Sequence, residues 1–391
     1  MFKSTRYLYA AARHSESDRP FCLTVSLTHP HDPYTIHDEY WSRYADTEIP
    51  LPSVNIPREA QDPHSKRLQK VCDLEKDLPV EAIKRARRAY FGAVSYVDDN
   101  VGKLMRVLKD CKLDDNTIVI FSSDHGDMLG ERGLWYKMSW FEASARVPLL
   151  ISYPSSITPR RISENVSTLD ILPTMVDLVG GTIETRLPLD GTSLVPQCKG
   201  QSGADVVYGE YAGEGTVAPY MMIKRGSWKY VVCPADPPQL YDLSTDPAEL
   251  VNLIPLLTSS TTTTTTTTTD DSNPTQTSPS NTPSPHPNIS YAKTILHSLS
   301  LEASQRWNFP SIHADVLRSQ RNRRVCWDAL KQGRFEAWDW TPREDGAGKY
   351  IRSTLPLDEL ELRARYPPVD ELGREKRRRG FVEGVAGAAG E

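Results

Sequence analysis

The sharpest cluster of reactive side chains is Asp124-His125-Gly126-Asp127. An aspartate beside a histidine offers an oxygen and a nitrogen to one divalent cation. Thirteen residues beyond Asp124 stands Lys137, set in Gly133-Leu134-Trp135-Tyr136-Lys137-Met138 among aromatic and apolar neighbours rather than on a charged face. His31 lies between two prolines in Thr28-His29-Pro30-His31-Asp32-Pro33. Such rings restrict a loop and fix where the imidazole points. The same residues admit a plain structural reading. Asp124 then caps a turn, His125 and His31 are satisfied loop histidines, and Lys137 lays its stem on apolar surface. Spacing does not choose between the two, because D-H-G triplets recur by chance.

The elements around these residues favour a shared edge. Phe21 to Leu27 is a short β-rich apolar run that stops at the His31 loop, and it reads as a buried strand. From Glu81, apolar side chains at Ile83, Ala86, Tyr90, Val94, Val97, Val101, Leu104 and Leu108 recur every three or four residues. That period predicts an amphipathic helix of about seven turns. Thr117 to Phe121 follows as a continuous apolar strand, read as an interior parallel strand covered on both faces, and it stops just before Asp124. Val147 to Ile151 is a further strand candidate, and Leu169 to Val179 an apolar helix ended by Gly180-Gly181. Two strands that each end in a His/Asp cluster mark the ligand-binding edge of an open α/β sheet.

The proline-spotted stretch Leu51 to Pro79 reads as a long excursion with little regular structure. Beyond residue 200 the texture changes. Val206–Tyr211, Tyr220–Lys224 and Trp228–Val232 are short strand candidates of an antiparallel subdomain spanning 201–257. Residues 258–288 hold an unbroken threonine tract and a Ser/Pro/Asn-rich run, a composition expected to be disordered. Pattern resumes over 289–370, with an Arg-rich helix at Ala314–Leu330 and the aromatic run Phe335–Trp340, and 371–391 reads as a flexible tail.

Composition narrows the class. A net charge of -5 with 25% charged residues describes an ordinary surface, with no polyanion partner implied. The Arg377-Arg378-Arg379 cluster reads as a solvated tail, so no nucleic acid is expected. No apolar run approaches the roughly 20 residues of a membrane span. The six cysteines are scattered, and the first residues have no signal-peptide pattern, so a cytoplasmic, reduced protein is expected.

The stretch Arg87–Pro154, with S-D-H-G-D-x-L-G, a lysine and then E-x-x-x-R-V-P, resembles the type I sulfatase family. It is particularly similar to the choline sulfatases. HPHDPY at 29–34, VSTLDILPTMVDLVG, DGTSL, QLYDLSTDPAELVNL and the stretch Arg306–Tyr366 extend the likeness. The resemblance implies an alkaline-phosphatase-like α/β sandwich around a mostly parallel sheet, occupying 1–200, with a small α+β carboxyl-terminal subdomain. It implies that Asp124 and His125 ligate one divalent cation of the calcium type, and that Lys137 and His31 are catalytic, at the sulfate and near the leaving oxygen. Glu214, in Gly213-Glu214-Gly215, is implied to meet the quaternary ammonium of choline-O-sulfate, and a homo-oligomer is implied for an intact member.

The departure from the family is as informative. Its formylglycine nucleophile arises in C-x-P-x-R, and no cysteine here has that setting: Cys233-Pro234-Ala235-Asp236 puts proline at the wrong offset. The family's paired amino-terminal aspartates and its middle lysine-histidine motif are not matched either. The chain is therefore expected to be a fragment, inactive alone. The alternatives are phosphonate or phosphate monoester hydrolysis within the same superfamily, or a non-catalytic remnant that binds an intact homologue.

Overall fold

The computed structural model describes residues 1–13, 20–184, 188–258 and 288–330. The expected disordered insertion (259–287 of it), the Phe335–Trp340 run and the 371–391 tail lie outside the described residues. The described residues divide into two units, 1–204 and 205–330.

The helices of the first unit are α1 (Phe2–Arg13), α2 (Asp38–Ser42), α3 (Pro63–Val71), α4 (Val80–Asp110), α5 (Glu142–Ala145), α6 (Ile171–Leu178) and α7 (Val195–Cys198). Its strands are β1 (Val119–Ser122) and β2 (Leu149–Ser152). The 31-residue α4 is the expected amphipathic helix and the scaffold of the unit. Its interior Gly92 has a packing reason: a Cβ there would stand 3.0 Å from the Tyr40 carbonyl, so glycine admits α2. At the other end Val107 and Leu108 join Leu8 of α1 in an apolar cluster that Phe21, Leu23 and Val119 flank. The helix near 169–179 also forms, as α6, and Gly180 ends it at φ 68°, a left-handed conformation glycine adopts without steric cost.

Three expectations are corrected. Phe21–Leu27 is in no strand ladder among the described residues, and its side chains alternate between half-buried and exposed. It is extended chain anchored by Phe21 and Leu23 rather than a buried strand. Thr117–Phe121 does contribute β1, but β1 pairs antiparallel with β2, Ile120 opposite Ile151, and all four of its residues are half-buried. The interior parallel neighbour inferred from its apolar run is not its described partner. Finally, Leu51–Pro79 is not irregular throughout. Asp62 caps α3 by accepting from Ser65 N at 3.0 Å, and Pro63 sits at the first helical position, where a missing N–H costs nothing.

The second unit is built on a four-stranded antiparallel sheet of β3 (Val206–Tyr211), β4 (Tyr220–Arg225), β5 (Trp228–Cys233) and β6 (Asp236–Asp242), in that spatial order. Helices α8 (Ile254–Thr258), α9 (Ile289–Arg306) and α10 (Phe309–Leu330) follow. Met221, Ile223, Tyr230 and Leu240 from the sheet pack with Leu253, Leu257, Leu299, Ala303 and Trp307 in its core. β6, not among the strands read from the sequence, carries Pro237-Pro238; it is an edge of this sheet, where proline is tolerated.

Candidate active site

The chain leaves β1 at Ser122 and enters Ser123-Asp124-His125-Gly126-Asp127. Gly126 is fixed by close approach: its N–H donates to the Ser144 carbonyl at 2.7 Å, and a Cβ would sit 2.1 Å from the Ala143 carbonyl oxygen. His125 Nδ1 lies 2.7 Å from the Gly126 carbonyl oxygen. A carbonyl only accepts, so Nδ1 donates there. Nε2 is turned toward Asp124, whose Oδ2 is 3.6 Å away on a side chain 85% exposed. Burial opposes ionisation of Asp124, but His125 and nearby backbone N–H groups outweigh it and hold the carboxyl below its usual range.

Asp124 and His125 could offer one oxygen and one nitrogen to a divalent cation. No group of three or more His, Cys, Asp or Glu that could hold a metal ion occurs among the described residues.

Lys137 and His31, 106 positions apart, meet directly: Nζ is 2.6 Å from Nε2. His31 Nδ1 lies 2.7 Å from the Asp32 carbonyl oxygen, so its proton is there and Nε2 accepts from the ammonium. One N–H of the lysine is used there, and two more remain to give. The His31 ring is 5.7 Å from the His125 ring. The structure thus brings His31, Lys137, His125 and Asp124 to one locality. Glu214 belongs to the second unit, where it accepts from Tyr211 Oη at 2.7 Å.

Two further residues tie the locality together. Tyr34 Oη donates to both Asp127 oxygens, at 3.0 and 2.9 Å, and Asp127 Oδ1 also accepts from Leu129 N at 2.9 Å and Tyr136 N at 3.2 Å. Burial raises the Asp127 carboxyl despite these bonds. Burial, then the Asp127 carboxylate, drives the Tyr34 hydroxyl far above its ordinary range, so it remains a donor. The Tyr34 ring stacks on Tyr136 with centroids 5.9 Å apart and planes 3° apart. Three segments, the His31 loop, the Asp124 turn and the Lys137 loop, are therefore clasped at one point. Both residues stand in motifs quoted above, HPHDPY and SDHGD, but a bond across 93 positions is invisible to spacing.

Against known structures, the chain is similar to the phosphonate monoester hydrolases of Agrobacterium radiobacter (TM-score 0.56, 26% identity, 65% of this chain and 56% of that one) and Silicibacter pomeroyi (0.54, 22%, 64% and 57%). The fold is the alkaline-phosphatase-like α/β sandwich of phosphoryl and sulfuryl hydrolases.

Family models narrow this: Sulfatase matches residues 3–181, N-sulphoglucosamine sulphohydrolase, C-terminal, matches 130–268, and Choline sulfatase enzyme C terminal matches 314–366. The chain is 40% identical to the choline-sulfatase of Rhizobium meliloti over 371 residues, 94% of its own length and 66% of that protein. It is 31% identical to arylsulfatase K of Rattus norvegicus, over 64% of its own length and 49% of that protein. The chain belongs to the sulfatase family. It spans two-thirds or less of the length of these curated relatives. No helix among the described residues is long and apolar enough to cross a membrane.

Proposed function

We propose that the chain provides the sulfate-holding and cation-holding side chains of a sulfuric ester hydrolase acting on choline-O-sulfate. The observation that carries this is the 2.6 Å contact of Lys137 with His31 beside His125. A held ammonium with N–H bonds to spare suits a sulfuryl oxygen, where negative charge grows as the ester bond breaks. His31 orients that ammonium and is the side chain assigned in this reading to the leaving oxygen. Asp124 and His125 are the two side chains here that would hold a calcium-type cation, which when bound polarises a sulfuryl oxygen.

Choline is the favoured alcohol because the carboxyl-terminal match at 314–366 is to choline sulfatase, and phosphonate hydrolysis is disfavoured for the same reason. A quaternary ammonium has no N–H to donate, so a carboxylate and aromatic faces must recognise it. Glu214, with Tyr211 on its carboxylate, has that chemistry. No C-x-P-x-R occurs in these 391 residues, so the chain by itself is expected to bind substrate without turning it over, and turnover above a matched control would contradict that part.

Calorimetric titration with calcium present tests the substrate. Glu214→Gln should weaken choline-O-sulfate about tenfold, the loss of about 1.4 kcal/mol of charge contact, and leave inorganic sulfate within about twofold. Equal losses on both ligands would remove Glu214 from substrate recognition.

A further inference from the structure

We propose that His64 is a positioning residue for Lys137, an inference that rests on the sulfate-holding role given to that lysine. His64 lies on α3, in the stretch that its prolines disguised as irregular, and is almost fully buried at 1% exposure. Its Nε2 is 2.6 Å from the Met138 carbonyl oxygen. Since the carbonyl can only accept, Nε2 carries the proton and donates it.

The residue it holds is conformationally unusual. Met138 has φ 74° and Tyr136 has φ 66°, so Lys137 is flanked by two left-handed residues, neither of them glycine or asparagine. Residues with a Cβ avoid this region unless their surroundings impose it. On the amino side the imposing contacts are visible: Tyr136 N donates to Asp127, its carbonyl accepts from Met128 N at 2.6 Å, and its ring stacks on Tyr34. On the carboxyl side His64 supplies the corresponding bond.

The segment around His64 grips the loop elsewhere too. Arg132 N donates to the Val54 carbonyl at 2.7 Å, and Gln61 Nε2 donates to the Arg132 carbonyl at 2.7 Å. Releasing the Met138 peptide frees the Lys137 backbone to relax, and the ammonium then swings off His31.

The test uses the full chain labelled with ¹⁵N in its imidazoles. In the parent protein His64 must show the Nε2–H tautomer, and an Nδ1–H tautomer with a bare Nε2 would overturn the proposal without any variant. His64→Gln keeps an N–H at similar reach, whereas His64→Leu removes it. The His31 Nε2 resonance, which reports the Lys137 hydrogen bond, should move in His64→Leu to its position in Lys137→Ala and stay at the parental value in His64→Gln. Affinity for inorganic sulfate should fall about tenfold in His64→Leu and within about twofold in His64→Gln.

Thermal midpoints of all variants separate these effects from unfolding, and should His64→Leu not fold, the parental tautomer and the Gln variant still decide. An unmoved His31 resonance in folded His64→Leu overturns the inference. If Lys137→Ala itself leaves sulfate affinity unchanged, the sulfate-holding reading fails, while the His31 resonance still decides whether His64 places Lys137.

Discussion

Gly126→Ala is a small change that should disable the proposed cation site. The new Cβ would stand 2.1 Å from the Ala143 carbonyl oxygen, and contacts under 3.0 Å are essentially never seen, so the two backbones must part by roughly 1 Å. No rotamer offers an escape, because both partners are main chain. The movement breaks or stretches the bond from Gly126 N to Ser144 O, and it carries off the carbonyl to which His125 Nδ1 is tied. Overpacking of this kind costs about 1–3 kcal/mol of stability. Loss of the group that orients a metal-binding histidine costs about 10- to 100-fold in metal affinity.

Two alanines serve as controls. Gly191→Ala meets the Leu169 carbonyl at the same 2.1 Å, with no site residue adjoining, and should lower stability while sparing calcium affinity. Gly102→Ala, in the interior of α4, meets nothing nearer than Arg106 Nη1 at 3.8 Å and should raise stability by about 0.5–1 kcal/mol. Calorimetric calcium titration with parallel thermal denaturation reads all three. Parental calcium affinity in Gly126→Ala would refute the reasoning, as would an equal loss in Gly191→Ala.

Two more outcomes follow from buried and paired charge. Lys229 and Glu249 form an ion pair at 2.7 Å with side chains 1% and 4% exposed, so Lys229→Met should destabilise by about 3–5 kcal/mol by taking the ammonium from a buried carboxylate. Adding Glu249→Leu should recover most of that in urea denaturation, and strictly additive losses would show that the pair is not the cause. The hydrogen bond from Arg43 holds the Asp99 carboxyl below its usual range, so its contribution is full above the unfolded carboxylate value and vanishes as pH falls through the lowered folded one. The midpoint difference between parent and Asp99→Asn should therefore be present at neutral pH and close in strong acid. A pH-independent difference would point to shape rather than charge.

Much of the site was legible because its residues sit where local rules converge. The period through Ile83 and Leu108 gave α4, and the Asp-His-Gly triplet carries a glycine that only a backbone contact requires. The Lys137–His31 contact could not come from spacing, since it joins loops 106 positions apart; family resemblance named the two residues but not their contact. The α3 helix lies inside the proline-spotted stretch read as irregular, although Asp62 followed by Pro63 is a start signal. His64 was lost with that helix. The parallel neighbour expected for β1 rested on an apolar run alone, and such a run does not specify the direction of its partner.

The account stands on Lys137 holding a sulfuryl group, and the most direct measurement is the affinity of choline-O-sulfate for the parent chain and for Lys137→Ala, taken by calorimetry with calcium present. Hydrogen bonds to charged groups contribute about 1.5–3 kcal/mol, so the variant should bind roughly 10- to 100-fold more weakly with its thermal midpoint nearly unchanged. Affinity within about twofold of the parent, in a folded variant, would contradict the assignment of Lys137 to sulfate recognition.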